Sequence, residues 1–385
     1  MHNLAILSPS TTDKPETFIQ SHIDGIGENI TYYYGDTVPR YIKGEGLFSM
    51  DNKNLGNRQA WKHIISHFNP IKYKRSGLNL KEYMFAESLK SHHIDAVLAE
   101  YGTASADVVN SCRYIGIPLI AHFHGRDCSC YDTLKTYGDR YKKLFRYASA
   151  VIAVSHAMEK QLVSLGCPME KLVYAPCTPD DKYFSLNPSL ATLQYLFVGR
   201  FVDKKAPYIT LYAFKTIWNK HPEAKLVMGG NGPLLETCMN LAKIWGIESS
   251  VSFPGAITPM QNMQYIMNSR AYVQHSVVAA DGDSEGTPVS VMEASAAGLP
   301  VISTFHAGIP DVIEDGKTGL LCREKDAEKM AGDMLRVADD VTFASSLGQS
   351  GKARMKEYFS KQWQMNVLTD TIEKAINNNK KVMRS

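Results

Sequence analysis

Two glutamates, Glu285 and Glu293, lie eight residues apart in a stretch whose other side chains are mostly small or apolar, DGDSEGTPVSVMEASAAGLPVIST. Pro288 suits the first position of a helix, Thr287 its N-cap and Gly298 the position just past its end. A carboxylate among buried apolar side chains costs free energy unless a partner satisfies it. The spacing therefore indicates that a polar ligand binds beside this helix.

The start of that helix, predicted over about residues 288–297, is a candidate anion site. Its first backbone N–H groups have no partner within the helix, and the helix dipole makes this end partly positive. A rise of ~1.5 Å per residue places Glu293 roughly 8 Å along the helix, while Glu285 lies on the loop side. Two acceptor-only groups on either side of a phosphate site suit the hydroxyls of a nucleotide diphosphate sugar. The alternative is that Glu293 is an exposed helix residue and Glu285 only favours the helix N-terminus.

Four further segments place polar or flexible residues at the ends of predicted strands. Arg200 and Lys205 follow a buried strand, and a guanidinium with an ammonium is a common phosphate clamp. The turn MGGNGP at 228–233 allows close approach of a ligand to the backbone. His124 ends a strand of the first half, and KPETFIQ at 14–20 follows the first strand. Singly these are surface charges, a turn, an ordinary histidine and a capped helix, but their order along the chain indicates one site.

Short apolar runs alternate with helical stretches in both halves of the chain. This alternation predicts an α/β protein with two Rossmann-like, doubly wound domains that face each other across a cleft, where such sheets bind ligands. The first domain is predicted over residues 1–187 and the second over 188–361, with a C-terminal helix at about 362–380 packing back on the first. The predicted strands are 4–7, 94–99, 118–123, 151–154 and 172–174, then 193–198, 225–228, 251–253, 271–274 and 300–303; the predicted helices include 80–90, 131–147, 206–220 and 233–245.

Composition excludes several classes of protein. The chain has 385 residues, of which 21% are charged and 44% apolar, and a net charge of +3, which argues against nucleic acid as its main partner. No stretch approaches the ~18 to 20 apolar residues of a spanning helix, and the start has no basic leader. Seven cysteines without CxxC spacing suit free thiols in a reducing compartment. We therefore expect a cytoplasmic protein, at most peripheral on the inner face of a membrane.

Six motifs together carry a family resemblance: VGRFVDKKAP, GGNGP, ADGDSEGTPVSVMEASAAGLPVIST, HAGIPDVIEDGKTGLL, HFHGRD and ETFI. The chain resembles a retaining glycosyltransferase of family 4 with the GT-B fold, of the amylovoran and colanic acid type that builds bacterial surface polysaccharides. The resemblance covers most of residues 195–325 and is thin before residue 180. It departs from the family where Ala206 and Pro207 follow Lys205 in place of the usual glycine, and where Ser8, Pro9 and Ser10 replace paired glycines.

The resemblance implies a role for each motif residue. Glu285 contacts the donor sugar near its anomeric carbon, Glu293 binds the ribose, and His124 contacts the sugar from the first domain. Arg200 and Lys205 hold the diphosphate and, with Glu285 and His124, make up the catalytic set. The other donor-binding residues are Gly286, Thr287, Pro288 and Val289 at the helix start, Gly230 and Asn231 in the glycine turn, and Ile257, whose loop with Gly255 and Ala256 holds the base.

Two clusters have the chemistry of metal ligands. The sequence DGD at 281–283 matches the acidic motif that other glycosyltransferases use for divalent cations, and HFHGRDCSC at 122–130 offers two histidines and two cysteines. The cations at Arg200 and Lys205 and the helix N-terminus already supply charge for the leaving group. The histidines and cysteines lack the separated ligand pairs of a structural zinc site. We therefore expect neither metal nor other cofactor.

The implied function is transfer of a hexose from a nucleotide diphosphate sugar, with a UDP-sugar favoured and a GDP-sugar as the alternative, to a saccharide acceptor that we expect to be lipid-linked. The alternatives are a GT-B-fold nucleotide-sugar epimerase and a nucleotide-sugar-binding protein without catalysis; a dehydrogenase is disfavoured because no GxGxxG follows a strand. Two basic clusters could contact anionic lipid, with a solvated surface as the alternative. They are Lys142, Lys143 and Arg146 beside Leu144, Phe145 and Tyr147, and Lys72, Lys74 and Arg75.

Overall fold

The computed structural model describes residues 2–27, 29–49 and 69–384 of the chain. These residues form two compact units. Unit 1 contains the chain up to Val154, Met158–Ala175 and the chain from Met365 onward, and unit 2 contains Ser155–Ala157 and Pro176–Gln364. The chain thus enters the main part of unit 2 after Ala175, earlier than the sequence predicts.

Unit 1 is built on an eight-stranded sheet. Its order is β4-β3-β2-β1-β5-β6-β7-β8, and all neighbouring strands are parallel except for the two antiparallel pairings of β3. The chain order reverses between β1 and β5, where Leu4 pairs with Ala96. Such a switch point is where ligands bind in doubly wound sheets. The strands are β1 Asn3–Leu7, β2 Asn29–Tyr34, β3 Tyr41–Ile42, β4 Gly46–Leu47, β5 Ala96–Glu100, β6 Leu119–Phe123, β7 Ala150–Ala153 and β8 Leu172–Tyr174.

Helices cover this sheet, and the last helix of the chain contributes to the same core. Met365, Leu368 and Ile372 of that helix join one buried cluster with Leu4 and Ile6 of β1. The helices of the first part of the chain are α1 Thr17–Gly25, α2 Pro70–Ser76, α3 Leu80–Ser91, α4 Gly102–Ile115, α5 Arg126–Ser129, α6 Tyr131–Tyr147 and α7 His156–Ser164, and a 3-10 turn follows at Met169–Lys171.

Unit 2 is built on a six-stranded sheet that is parallel throughout. Its order is β11-β10-β9-β12-β13-β14, so the switch point lies between β9 and β12, where Tyr195 pairs with Ala271. One continuous cluster of buried apolar side chains forms the core of this unit. The strands are β9 Gln194–Val198, β10 Lys225–Gly229, β11 Val251–Gly255, β12 Ala271–Val273, β13 Val301–Thr304 and β14 Leu320–Cys322.

The helices of unit 2 alternate with its strands, as the sequence predicts. They are α8 Pro207–Lys220, α9 Leu235–Ile244, α10 Pro259–Met267, α11 Val289–Ala297, α12 Ile309–Val312, α13 Ala327–Asp339 and α14 Val341–Tyr358, and α15 Lys361–Arg384 runs on into unit 1. Three-residue and five-residue 3-10 turns lie at Asp181–Ser185, Asp203–Lys205 and Glu248–Ser250.

The helix that carries Glu293 begins one residue later than predicted. Pro288 is its N-cap, with an extended backbone at ψ 116° and no side-chain cap, so the prediction of Thr287 as the N-cap is wrong. Gly298 ends the helix in the left-handed conformation at φ 85°, which confirms the predicted C-terminal signal.

Two observations bear on the predicted contacts with lipid. Leu144 and Phe145 are 0% and 1% exposed, so they are core residues, and the interpretation of them as a lipid-facing surface is wrong. Lys72 and Lys74 lie on α2, where Ile71 is 64% exposed. Among the described helices, none combines the length and apolar character that crossing a membrane requires.

The seven cysteines are all buried thiols.

The helix α11 is held against α14 by a contact between two glycines. A Cβ on Gly348 of α14 would lie 2.1 Å from the carbonyl oxygen of Gly298, which is far inside van der Waals distance. The missing side chain therefore sets how closely the two helices approach, and hence where the C-terminal end of α11 lies.

We predict that Gly348→Ala lowers the free energy of unfolding by about 1 to 3 kcal/mol, because the new methyl group must push the two segments apart. The matched control is Gly332→Ala, which also lies within a helix but has no atom within 4 Å of its Cβ position. This substitution is expected to leave stability unchanged or to raise it by up to ~1 kcal/mol. Denaturant unfolding of both variants measures the difference, and equal stabilities would contradict the close contact.

Candidate active site

Lys205 and Glu285 form a buried ion pair at the switch point of the unit 2 sheet. Lys205 Nζ lies 3.0 Å from Glu285 Oε1, and the two side chains are 11% and 9% exposed. Lys205 ends the 3-10 turn after β9, and Gly199 leaves room for it, because a Cβ there would lie 2.6 Å from Lys205 Cδ. Among the described residues, Glu285 Oε1 has no partner with hydrogen-bond geometry, so the contact is ionic. The structure thus brings together two residues that the sequence predicts for one site.

Glu285 is held in its ionised form. Burial alone would raise its pKa, but Lys205 and the neighbouring Lys204 lower the pKa below its usual value. A permanent carboxylate at this position can accept hydrogen bonds from sugar hydroxyls and can stabilise positive charge that develops beside it.

The acidic motif at 281–283 is occupied by interactions within the protein. Lys204 Nζ lies 3.1 Å from Asp283 Oδ1 and donates to the Ser284 carbonyl oxygen at 3.2 Å. Asp281 Oδ1 accepts the Asp283 N–H at 3.0 Å across a turn in which Gly282 has φ 81°. These contacts favour the interpretation of this motif as a turn that orients the loop before Glu285.

Glu293 differs from Glu285 in its environment. Its Oε2 accepts a hydrogen bond of 3.0 Å from Asn262 Nδ2, and the Tyr183 hydroxyl lies beside it. Burial raises the pKa of Glu293 to about 7, although the Tyr183 and Asn262 hydrogen bonds act in the opposite direction. The protein itself therefore supplies hydrogen-bond partners for this carboxyl group, whereas the sequence analysis expected the ribose to be its partner.

A polar network that sequence reasoning missed connects Lys205 to the start of α11. Gln274 Oε1 lies 3.4 Å from Lys205 Nζ and 2.8 Å from the Tyr272 hydroxyl, which also contacts Ser290 Oγ at 2.8 Å. A glutamine directly after the buried strand β12 was the available signal. The network holds the lysine ammonium near the helix N-terminus.

The N-terminus of α11 keeps the character of an anion site. Its first helical hydrogen bond runs from the Val291 N–H to the Pro288 carbonyl oxygen, so the N–H groups of Val289 and Ser290 come before it. Pro288 has no N–H and can contribute only to shape. Gly286, Thr287 and Pro288 are themselves buried.

The glycine turn serves the packing of one loop against another. Gly230 has φ 139°, and a Cβ there would lie 1.9 Å from the Gly199 carbonyl oxygen. Phe201 N–H donates to the Asn231 carbonyl oxygen at 2.9 Å. Sequence reasoning assigned these glycines to ligand approach, whereas the structure shows that backbone contact already requires them. Of the remaining predicted residues, Arg200 is exposed and Ile257 packs on Gly229.

In unit 1, one buried carboxylate gathers three histidines at the switch point of the sheet. Glu100, the last residue of β5, lies 2.7 Å from His22 Nδ1 through Oε1, and 2.7 Å from His124 Nε2 and 3.1 Å from His122 Nδ1 through Oε2. Only His124 has any exposure, at 8%. The predicted residue His124 is thus held by Glu100, which belongs to none of the motifs found in the sequence. The available indication in the sequence was the position of this charged residue at the end of the apolar run AVLAE.

The charges in this cluster are set by burial and by proximity. Burial alone would raise the pKa of Glu100, but His122 and His22 lower it well below its usual value. Burial, followed by repulsion from His124, lowers the pKa of His122 to about 4. Glu100 is therefore ionised and His122 neutral at neutral pH.

His22, Glu100 and His122 also form the group of described side chains that could hold a metal ion, with ligand atoms within 4.8 Å of one another. Both ring nitrogens of His122 lack a partner with hydrogen-bond geometry among the described residues. The sequence suggested a different set, in which histidines joined Cys128 and Cys130. Instead, Cys128 Sγ donates to the Gly125 carbonyl oxygen at 3.2 Å.

The motifs ETFI and HFHGRD meet around His124 within unit 1. Its ring lies 4.6 Å from the Phe18 ring and 4.9 Å from the Tyr101 ring, measured between centroids. Tyr101 has φ 73°, an unfavourable backbone conformation for this residue, and such strain is often found at functional sites. Asp127 accepts the His124 N–H at 3.1 Å, which fixes the backbone. That His124 contacts a donor sugar stays a prediction.

Comparison with known proteins gives two family models that match the chain. The model described as Glycosyltransferase Family 4 matches residues 47–182, and the model described as Glycosyl transferases group 1 matches residues 182–354. The second match contains Arg200, Lys205, Glu285 and Glu293.

Curated relatives match over part of their length. WcaL of Escherichia coli (strain K12), named as a candidate colanic acid biosynthesis glycosyltransferase, is 30% identical over 243 residues, which cover 62% of this chain and 60% of that protein. The amylovoran biosynthesis glycosyltransferase AmsK of Erwinia amylovora is 27% identical over 295 residues, which cover 75% of this chain and 72% of that protein. The chain therefore spans 60% of the length of the first relative.

A solved structure of similar fold is that of Alr3699/HepE from Anabaena in complex with UDP and glucose. It matches with a TM-score of 0.74 and 15% identity, and the match covers 97% of this chain and 100% of that chain. At this level of identity the likeness shows the fold alone.

We predict that Glu293 makes stability fall as pH rises. Its folded-state pKa of about 7 lies above the ordinary 4.5, so the folded protein binds more protons than the unfolded chain between these values. The stabilisation is present below pH ~4.5 and is lost as pH rises through ~7, by about 1 to 3 kcal/mol. Denaturant unfolding of the wild type and Glu293→Gln from pH 5 to 8 measures it.

The variant Glu293→Gln lacks this titration, so its stability relative to the wild type should increase with pH. Glu328→Gln, at an exposed position of α13, is the control and should follow the wild type. A constant difference between the wild type and Glu293→Gln across this pH range would contradict the raised pKa.

Proposed function

We propose that this chain, a glycosyltransferase of the GT-B fold whose family models match residues 47–182 and 182–354, transfers a hexose from a nucleotide diphosphate sugar to a hydroxyl of a saccharide acceptor. The product keeps the anomeric configuration of the donor. The acceptor is lipid-linked, and the reaction belongs to bacterial surface polysaccharide biosynthesis. The names of WcaL and AmsK, which refer to colanic acid and amylovoran, support this assignment.

The observation that carries the proposal is the Lys205–Glu285 pair, held beside the N-terminus of a helix that bears Glu293 about one turn further on. In the proposed complex, Lys205, Arg200 and the N–H groups at Val289 bind the diphosphate. Glu285 accepts hydrogen bonds from the hexose, and Glu293 accepts them from the ribose. UDP is the favoured nucleotide, supported by the UDP and glucose bound to HepE, and GDP is the alternative.

The mechanism follows from where charge develops. Cleavage of the bond between the anomeric carbon and the diphosphate oxygen makes the carbon positive and the leaving oxygens negative. Lys205, Arg200 and the helix dipole stabilise the leaving group, and the ionised Glu285 stabilises the carbon. The acceptor oxygen forms its bond on the face that the leaving group vacates, and its proton passes to a phosphate oxygen. In this proposal His124, which Glu100 holds in orientation, also contacts the sugar.

We propose that the reaction needs no metal ion. Lys204 occupies Asp283, so the acidic motif at 281–283 is engaged by a lysine rather than open to a cation. In the proposed complex, Lys205, Arg200 and the N-terminus of α11 supply the positive charge that a divalent cation provides elsewhere. Transfer activity that persists in excess EDTA supports this, and activity that returns only with added Mg²⁺ or Mn²⁺ overturns it.

The protein is proposed to work in the cytoplasm, at the inner face of the membrane, because its acceptor is lipid-linked. The exposed Ile71 with Lys72, Lys74 and Arg75 on α2 supports contact with anionic lipid. Co-sedimentation with anionic vesicles at low and high salt tests this.

The first test is to incubate the purified protein with labelled UDP-hexoses and GDP-hexoses, with and without a bacterial cell-envelope lipid extract. A glycolipid product that requires the extract supports transfer. Conversion of the donor sugar to its epimer without an acceptor supports the nucleotide-sugar epimerase, and donor binding without any product supports the binding protein. Either of the last two results overturns the proposed transfer.

We predict that Glu285→Gln and Lys205→Ala each lower kcat by ~10² to 10³, because each removes one charge that acts on the transition state. Asp281→Asn is the control within the same loop: Asp281 is exposed, and the amide oxygen can still accept the Asp283 N–H. This variant is expected to retain wild-type kcat. Normal turnover by Glu285→Gln would contradict the assigned role.

A further inference from the structure

The loop that carries Glu285 is long and has no regular secondary structure over most of residues 274–288. Loops of this length are usually mobile unless other parts of the protein hold them. In the described structure, a histidine from another loop holds the loop at 274–288 in place. His306 follows β13 and is 1% exposed, and its Nε2 accepts the backbone N–H of Glu285 at 3.2 Å and lies 3.1 Å from Ser284 Oγ.

The backbone contact fixes which nitrogen of His306 carries the proton. An amide N–H can only donate, so His306 Nε2 must present its lone pair to Glu285. The proton of the neutral ring is then on Nδ1, which lies 2.6 Å from Glu324 Oε1. The carboxylate and the backbone amide therefore select the same tautomer from opposite sides of the ring.

Glu324 contacts the loop at a second place. Its Oε2 accepts the backbone N–H of Val278 at 3.0 Å, near the beginning of the loop. Its Oε1 acts through His306 on Glu285, near the end of the loop. One carboxylate thus ties together two points that are seven residues apart in the sequence.

The other side of the loop is held by independent contacts. Lys204 Nζ binds Asp283 and the Ser284 carbonyl oxygen, and Gly308 N–H donates to the Gly286 carbonyl oxygen at 2.9 Å. A Cβ on Gly308 would lie 2.3 Å from Thr287 Oγ1, so the two loops are in close contact. Of the described contacts that hold the loop, only that of His306 involves the backbone of Glu285 itself.

We propose that His306 and Glu324 are positioning residues for Glu285, acting through the hydrogen bond from the Glu285 N–H to His306 Nε2. The inference rests on the proposed function, because it assigns the purpose of the contact to the placement of the Glu285 carboxylate beside Lys205. The contact orients a group that acts in the transition state, so its loss lowers kcat and leaves nucleotide binding near its wild-type value.

Two amide substitutions at His306 test the roles of its two ring nitrogens separately. In Gln the terminal amide reaches about as far as Nε2, so His306→Gln can still accept the Glu285 N–H. In Asn the amide reaches about as far as Nδ1, so His306→Asn can still donate to Glu324 but leaves Glu285 without its acceptor. His221→Asn is the matched control, because His221 pairs with Asp339 at 2.9 Å and is distant in sequence from the loop.

The experiment measures kcat for hexose transfer and Kd for UDP in the three variants, and hydrogen-deuterium exchange over residues 278–288. We expect His306→Asn to lower kcat tenfold or more, to change Kd less than threefold and to raise exchange in this segment. His306→Gln should keep kcat within about fivefold of the wild-type value, and the control His221→Asn should have the wild-type kcat. A similar kcat in His306→Asn and the wild type overturns the proposal, as does a loss of UDP affinity that equals the loss of kcat.

The exchange measurement separates this proposal from the proposed function. If the wild type transfers no hexose, the proposed function fails, and the assignment of a catalytic purpose to the contact fails with it. If the wild type is active and exchange over 278–288 is the same in His306→Asn as in the wild type, only the positioning role is overturned. Unfolding of each variant is followed in parallel, since a general loss of stability would raise exchange throughout unit 2.

Discussion

A buried ion pair, Lys205 with Glu285, is the constraint on which the site in unit 2 depends. Two charges removed from water favour the folded state only if their geometry is fixed, because otherwise the cost of desolvation exceeds their attraction. The surrounding loops provide that geometry. Gly199 makes room for the lysine stem, Gln274 contacts its ammonium group, and His306 holds the glutamate backbone. In the proposed complex, the diphosphate meets a lysine and a helix N-terminus that are already in place.

The two glutamates of the opening motif have opposite electrostatic settings although they lie only eight residues apart in the sequence. Lysines beside Glu285 keep it ionised, whereas Glu293 accepts hydrogen bonds from the neutral groups of Tyr183 and Asn262, and burial raises its pKa to about 7. Environments that push two carboxyl pKa values apart are typical of sites where such groups have different roles. In the proposed function, Glu285 acts on charge that develops in the sugar, and Glu293 accepts hydrogen bonds from the ribose.

Sequence patterns predicted the parts of this protein that are local along the chain. Most strands and the helix that starts after Pro288 follow from short apolar runs and from Gly298, and the loop residues Lys205 and Glu285 follow from motifs. Contacts between distant residues were not predictable: Glu100 meets His22 across 78 positions without any motif. The departure at Ala206 now has a physical meaning, since its φ of 33° is a conformation that glycine adopts without strain.

The two units share a buried carboxylate at the switch point of the sheet but give it different partners. Each places a buried carboxylate at the switch point of its sheet, where the chain order reverses and the strand ends leave a crevice. In unit 2 the partner of Glu285 is the ammonium group of Lys205. In unit 1 the partners of Glu100 are imidazoles, of which His122 is neutral near neutral pH because burial lowers its pKa to about 4. Unit 2 thus pairs its carboxylate with a cation, whereas the carboxylate of unit 1 orients the ring of His124.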